Sequence, residues 1–310
     1  RVTKARPNEN PMSKQRIMAR DRALATQDSL DYNEAVAKAF LLLRKDSLSQ
    51  AQHELERALH LRPKAETNAV LRLNLAKIYY WRKQWHDADR TLREVREEFA
   101  RQLVQKGNVK TSLEAVPQEN LQSLLNETCT WQHNTLYQLG KYQSAADSIE
   151  AFLQQKPELS PHEEMDICTL LGDCYFALKK YDAAVAAYKR TLKIEANAFE
   201  ALLPMVQALQ ALHREEEALM WLNSALQYEN YEEPLVARAK LHRAMANEEA
   251  ALADWEVLVK EYPQNLQYQV ARAEMLLAVG KKKKAKDAVK KLLHAGFPHR
   301  ELPAQLQEIK

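Results

Sequence analysis

The chain has 310 residues, 28% of which are charged, and contains only 5 glycines and 11 prolines. Its length exceeds that of a typical single-core domain and predicts two domains or an array of repeats, while its composition favours an all-α protein. The formal net charge of +3 excludes a strong overall attraction to nucleic acid or anionic membranes, and no apolar run is long enough to cross a bilayer.

Residues 1–31 are set apart from the rest of the chain by seven basic side chains. We predict a basic N-terminal tail here, followed by a capping helix over residues 12–26. No signal peptide is visible, but the chain begins at Arg1 and an upstream segment could be missing. The sequence therefore leaves the compartment open: the protein is expected to be soluble, and either cytoplasmic or exported.

After this segment, seven alanines act as anchors of one repeating pattern: Ala51, Ala88, Ala145, Ala184, Ala218, Ala251 and Ala285. The last four anchors are separated by 34, 33 and 34 residues. Gly172 lies twelve residues before Ala184, and Tyr181 lies three before it; small and large apolar residues recur at similar offsets from the other anchors. The spacing predicts two antiparallel helices joined by a short turn, with small residues at their closest approach. In this register Ala184 faces the partner helix and Ala187 faces outward.

The pattern resembles the tetratricopeptide repeat from about Tyr32 to Pro298. Departures from it are Pro204 within a first helix and His133 at a position normally held by a small residue. The resemblance implies an all-α fold, a right-handed superhelical α-solenoid of about seven helical hairpins over residues 32–298. A polar C-terminal cap over residues 299–310 would close its end.

One step of the array is longer than a repeat, because Ala88 and Ala145 are 57 residues apart. The intervening sequence predicts an extended helical hairpin around residues 96–125, whose tip at residues 104–120 projects from the solenoid. This extension is either a tolerated insertion or a lateral contact surface for a partner.

The lysine run Lys281–Lys284 also has two interpretations. It is either a solvated turn or a weak electrostatic docking patch.

No arrangement of residues in the sequence predicts catalysis. There is no glycine-rich phosphate loop, no nucleophile elbow and no Cys-x-x-Cys motif. His86, Asp87 and Asp89 are close together, but acidic residues at a helix start suit the helix dipole, so we expect no metal there. We therefore predict that the chain is not an enzyme and has no catalytic residues, metal or cofactor.

Three cysteines, Cys129, Cys168 and Cys174, lie in apolar helical stretches. Cys168 and Cys174 are six residues apart on one helix, so their side chains point in different directions and cannot form a disulfide. We predict three free thiols.

In the tetratricopeptide family the first helix of each hairpin lines an inner groove, and the resemblance assigns groove positions here. In repeats two to four these positions include Asn74, Lys77, Tyr80, Trp81, Trp131, Asn134, Tyr137, Asp173 and Phe176. Aromatic rings in three successive repeats predict a site for an extended or helical peptide, with asparagine side chains bonding its backbone. The alternative is that some rings pack into neighbouring helices as core. The family's clamp for a C-terminal carboxylate does not map, since only Asn74 fits it.

The resulting prediction is a non-catalytic scaffold or adaptor that binds a protein or peptide partner in the groove. A regulatory or substrate-recruiting arm of an enzyme complex is the first alternative. RNA binding is the second, and acidic residues at groove positions such as Glu127 and Glu200 argue against it. The identity of the partner and the oligomeric state stay open.

Overall fold

The computed structural model describes residues 11–65, 67–106 and 118–309. Across these residues the chain is an all-α repeat fold with fifteen α-helices, one short 3₁₀ turn at His299–Glu301 and no β-strand. The chain divides into two compact units, residues 1–157 and 158–310.

Successive helices within each unit pack as antiparallel hairpins. The helices of unit 1 are α1 (Pro11–Arg44), α2 (Leu48–Leu61), α3 (Asn68–Trp81), α4 (Trp85–Lys106), α5 (Gln118–Gln138) and α6 (Tyr142–Gln154). Those of unit 2 are α7 (Pro161–Ala177), α8 (Tyr181–Ile194), α9 (Phe199–Ala211), α10 (Glu215–Ala225), α11 (Glu232–Ala244), α12 (Glu248–Glu261), α13 (Leu266–Ala278), α14 (Lys282–His294) and α15 (Ala304–Gln307). We call α1, α3, α5, α7, α9, α11 and α13 the first helices, because each begins a hairpin.

Helix α1 is continuous over 34 residues, so residue 31, the predicted boundary of the N-terminal segment, lies inside it. No glycine or proline interrupts the chain between Pro11 and Arg44. Burial begins at Tyr32, whose hydroxyl donates to the side chain of Asn68, and continues at Ala35 and Ala39. The repeat packing therefore starts at Tyr32, within the helix.

All seven anchor alanines have no solvent-exposed surface. The residues twelve positions before them are also buried: Ala39, Ala76, His133, Gly172, Val206, Ala239 and Ala273. Gly172 shows why small residues are needed, because a Cβ built there would lie 2.4 Å from a ring carbon of Tyr188. At this hairpin a small residue is therefore required at the predicted first-helix position.

The expectation that Ala187 faces solvent is wrong, since its exposed fraction is only 4%. Residues three apart on a helix share a face, so Ala187 lies on the same buried side as Ala184. The neighbouring Ala186 is the exposed alanine of this helix.

Each hairpin turn contains one left-handed residue, always five positions before the anchor: Asp46, Lys83, Gly140, Lys179, His213, Ala246 and Gly280, with φ between 56° and 78°. In the turn at Lys179, the next N–H, that of Lys180, donates to the carbonyl of Tyr175 at 2.8 Å. This bond is the one that closes a Schellman motif, which requires a left-handed residue after the helix. Only two of the seven turns use glycine, so the other five hold a strained residue.

Helices α4 and α5, with 22 and 21 residues, are longer than the 14-residue α3 and the 13-residue α6. They form the arms of the predicted extended hairpin. Residues 107–117, most of its predicted tip, lie outside the described residues. At the other end of the chain, Leu302 and Leu306 cover Val289 and Leu292, so the C-terminal segment contributes apolar side chains as well as polar ones.

The helix register predicts different costs for two neighbouring substitutions. Ala184→Leu should lower the free energy of unfolding by about 1–3 kcal/mol, because extra methylenes overpack the closest approach of α7 and α8. Ala186→Leu, on the exposed side of the same helix, should change it by less than about 0.5 kcal/mol. Urea denaturation followed by circular dichroism measures both, and equal losses would contradict the register.

The turn geometry predicts opposite effects of glycine and alanine. Gly140→Ala should destabilise the chain by about 1 kcal/mol from backbone strain alone, since a Cβ at Gly140 would meet nothing within 4 Å. Ala246→Gly should stabilise the equivalent turn by a few tenths of a kcal/mol, after the entropy of the unfolded chain is counted. Thermal denaturation of both variants checks the pair, and a stabilising Gly140→Ala would rule out the strain.

Candidate partner-binding faces

Four aromatic rings meet where α3, α4 and α5 come together in unit 1. The ring centroids of Trp81 and Trp131 are 5.7 Å apart with an interplanar angle of 89°, and that of Tyr80 lies 5.1 Å from Trp131 and 5.0 Å from Trp85. Edge-to-face contacts of this kind are favoured by the ring quadrupoles and contribute about 0.5–1.5 kcal/mol each. We call Tyr80, Trp81, Trp85 and Trp131 the aromatic platform.

One ring of the platform faces solvent. Trp81 is 50% exposed, whereas Tyr80 and Trp131 are half-buried, and burial raises the pKa of the Tyr80 hydroxyl. Lys77 places its ammonium 5.9 Å from the centroid of the Trp131 ring and forms an ion pair with Glu127. Trp131 therefore contacts Tyr80, Trp81 and Lys77. It supports the indole ring of Trp81, whose exposed surface is available for a ligand.

The two predicted asparagines turn towards their own helices. The side-chain amide of Asn74 donates to the carbonyl of Val70, and that of Asn134 donates to the carbonyl of Thr130, both at 2.9 Å. Each uses one N–H in this way and keeps its side-chain oxygen for another partner. Bonding of a peptide backbone by these residues stays a prediction.

The remaining predicted groove residues contact members of their own hairpins. Tyr137 packs against Tyr142 with centroids 5.1 Å apart, and in unit 2 Phe176 packs against Tyr181 at 5.4 Å. Asp173 accepts a hydrogen bond of 2.7 Å from the hydroxyl of Tyr188, and burial raises the pKa of its carboxyl. Of the nine predicted residues, the structure thus brings together four, namely Lys77, Tyr80, Trp81 and Trp131.

The first helices of unit 2 form an open groove of about 530 Å³ that the sequence analysis missed. Helices α9 and α11 contribute most of its lining residues, and Tyr268 of α13 contributes one more. Gln207 and Lys240 lie eleven residues before the anchors Ala218 and Ala251, the same offset that selects Lys77 and Asn134. Extending the groove mapping beyond repeat four would have identified both residues.

A family model described as tetratricopeptide repeat matches residues 71–101 and 170–198. These segments cover parts of two first helices and the second helices that follow them. A comparison with curated proteins finds no match.

Solved structures with this architecture match most of the chain. A tetratricopeptide repeat protein from Parabacteroides merdae is 18% identical, with a TM-score of 0.55 over 90% of this chain and 98% of that one. The C-terminal part of a repeat-containing protein from Cytophaga hutchinsonii is 13% identical, with a TM-score of 0.64 over 84% and 94% of the two chains. PilF from Pseudomonas aeruginosa is 17% identical, with a TM-score of 0.50 over 80% and 99%. At these identities the likeness shows the fold.

Two segments of this chain thus match the tetratricopeptide repeat, and its fold is that of solved tetratricopeptide repeat structures. Among the described residues of the repeat protein, no group of three or more metal-binding side chains is placed to hold an ion. None of the described helices combines the length and the apolar composition that crossing a bilayer requires.

The repeat protein holds its three cysteines as free thiols, as predicted. Cys168 and Cys174 are buried and Cys129 is half-buried. Burial raises the pKa of all three thiols, that of Cys174 to about 12. Because the thiolate is the reactive form, the raised pKa slows the reaction of all three thiols in the folded protein, and burial protects Cys168 and Cys174 further.

Burial also changes the chemistry of His133, the residue that replaces a small one in repeat three. Its exposed fraction is 2%, its ring packs edge-on against Phe152 at 5.6 Å, and its Nδ1 has no hydrogen-bond partner among the described residues. Loss of hydration and the nearby charge of Arg96 lower the pKa of this imidazole to about 4. His133 is therefore neutral in the folded chain at neutral pH.

The exposure of the cysteines predicts the order in which they react. In the native protein at pH 8, a chromogenic disulfide reagent should modify Cys129 first, and Cys168 and Cys174 only as the chain opens. Mass spectrometry of partly modified protein identifies the sites, and Cys129→Ser should remove the first phase. Modification of Cys174 as fast as Cys129 would contradict the burial pattern.

The lowered pKa of His133 predicts a loss of stability in acid. Unfolding returns the imidazole to its ordinary pKa of 6.5, so between about pH 4 and pH 6.5 the unfolded chain binds the additional proton. The stabilisation is complete above pH 6.5 and is lost as the pH falls towards 4, by roughly 3 kcal/mol in all. Urea denaturation from pH 7 to pH 4.5 should show a flatter dependence for His133→Gln than for the wild type, and parallel curves would contradict the assignment.

Proposed function

We propose that this repeat protein is a non-catalytic scaffold that binds a segment of a partner protein through its first helices, with the aromatic platform of unit 1 as the main contact. The family match and the shared fold support a protein-interaction scaffold in general. Three of its four rings, Tyr80, Trp81 and Trp131, lie on first helices, the elements that line the binding groove in the resemblance described above.

The observation that carries the proposal is the half-exposed ring of Trp81, supported by Trp131. A large ring already held in one orientation loses little entropy on binding and buries a large apolar area. Residues of this kind dominate the binding energy of protein interfaces. Lys77 beside the rings adds a cation, but its ion pair with Glu127 keeps the local charge balanced.

The test is capture of partners from a native extract by the wild-type chain and by the Trp81→Ala/Trp131→Ala variant. The double variant should keep nearly all of its helical circular dichroism but bind the captured protein more weakly by about 2 kcal/mol or more. Tyr228→Ala is the control, because Tyr228 is 92% exposed and lies in the α10–α11 connection. Trp81→Ala alone distinguishes the loss of a contact with the partner from the loss of packing within the chain, because the Trp81 ring is the more exposed of the two.

Two results would contradict this site. Capture that survives the double variant, but is lost when residues 104–120 are replaced by a glycine-serine linker, would move the contact to the extended hairpin. Capture abolished by nuclease treatment would indicate that the rings of Trp81 and Trp131 stack on the bases of a single-stranded nucleic acid.

A further inference from the structure

We propose that the groove between α9 and α11 of unit 2 is a second binding site, and that it selects a peptide segment carrying a lysine or arginine side chain. This inference rests on the proposed role of the repeat protein as a scaffold. It is independent of the aromatic platform, because the residues of the groove are different and belong to the other unit.

Two stripes of side chains form the walls of this groove. Leu203, Val206, Gln207 and Gln210 follow the i, i+3, i+4, i+7 spacing of one helical face on α9, and α11 contributes Glu232, Glu233, Val236, Ala237 and Lys240. The apolar members offer surface for a backbone and small side chains. The two glutamine amides each provide donors and an acceptor, which suits a peptide backbone in an extended conformation.

The length of the groove matches a short segment of chain. Glu233 and Lys240 are seven residues apart, which corresponds to about 10 Å along the axis of a helix. An extended peptide advances about 3.3 Å per residue, so about three residues span the distance between these two charges. The volume of about 530 Å³ is within the range of sites that hold small ligands.

The charges of the groove favour a cationic segment. Glu233 has no ion pair among the described residues, and Glu232 accepts a hydrogen bond of 2.6 Å from the hydroxyl of Tyr268. That hydroxyl is neutral, since burial and Glu232 raise the pKa of Tyr268 to about 12. Both carboxylates therefore lack a cationic partner among the described residues.

The helices that line the groove add no free cation besides Lys240. Helix α9 contains no lysine or arginine and has one acidic residue, Glu200. On α11, Arg238 is held by Asp254 through two hydrogen bonds of 2.9 and 2.7 Å, and Arg243 is held by Glu274. Among the described residues that line the groove, Lys240 is the one cation, and Glu232 and Glu233 are the two anions. An acidic segment would be repelled at the glutamate end, whereas a basic one gains attraction there.

Selection from a random heptapeptide library displayed on phage tests the proposal with the intact chain. Peptides recovered on the wild type should be enriched in lysine and arginine. Enrichment should persist on Trp81→Ala/Trp131→Ala and disappear on Glu232→Gln/Glu233→Gln, which keeps the shape of the groove. The matched control is Glu248→Gln/Glu249→Gln, because it removes the same charge from the first turn of α12, a second helix outside the groove.

A selected peptide then gives the magnitude by fluorescence anisotropy. Replacing its basic residue by citrulline, and separately introducing Glu232→Gln/Glu233→Gln, should each weaken binding at least about tenfold at low salt. The control variant should change binding less than about twofold, and added salt should weaken the wild-type complex.

Four outcomes would overturn the proposal. They are enrichment of acidic peptides, no enrichment of any class, an equal loss in the control variant, and displacement of the peptide by a second copy of the chain through its α14 lysines. Loss of enrichment only in the Trp81→Ala/Trp131→Ala variant would place the peptide on the aromatic platform. That result would contradict this proposal but support the proposed function, so the two can fail separately.

Discussion

The close approach of two helices within each hairpin is the constraint on which the rest of the structure depends. At this approach the side chains must be small, and a fully buried alanine stands there in all seven hairpins. The Gly172–Tyr188 contact shows how little room remains, since even one added carbon would overlap the tyrosine ring. Dense packing of this kind leaves the register of each hairpin few alternatives, because a shift by one residue would bring a large side chain into the same space.

The same packing joins successive hairpins within each unit. Besides its own first helix, each of α2, α4, α8, α10 and α12 contacts the first helix of the next hairpin. The left-handed turns fix the angle at which each hairpin closes, and five of the seven tolerate a residue with a side chain there. Strain in these turns is offset by the packing of the buried alanines.

The first helices of the two units carry chemically different side chains. In unit 1, Trp81 and Trp131 form a rigid apolar contact beside Lys77, whose charge is balanced by Glu127. In unit 2, glutamine amides and the carboxylates of Glu232 and Glu233 line the groove together with apolar side chains. Aromatic rings supply affinity through buried area, and charged groups supply selectivity and association rate. A scaffold with both would discriminate partners by two separate features of their sequence.

The local features of the sequence determined the fold and most of its register. Helical periodicity and small residues at constant spacing are properties of a single hairpin, so they predicted the seven anchors, the closest approach at Ala184 and the three free thiols. The misplacement of Ala187 shows the limit even there, because the buried side of α8 includes both Ala184 and Ala187. The sequence also placed Lys77, Tyr80, Trp81 and Trp131 on first helices. Only the tertiary structure decided that these four meet, that Asn74 and Asn134 bond their own helices, and that α9 and α11 enclose a groove. The asparagine bonds are local, since each spans four residues, whereas Trp131 lies 50 residues from Trp81 in the sequence. Contacts of the second kind depend on how neighbouring hairpins pack, which no local pattern encodes.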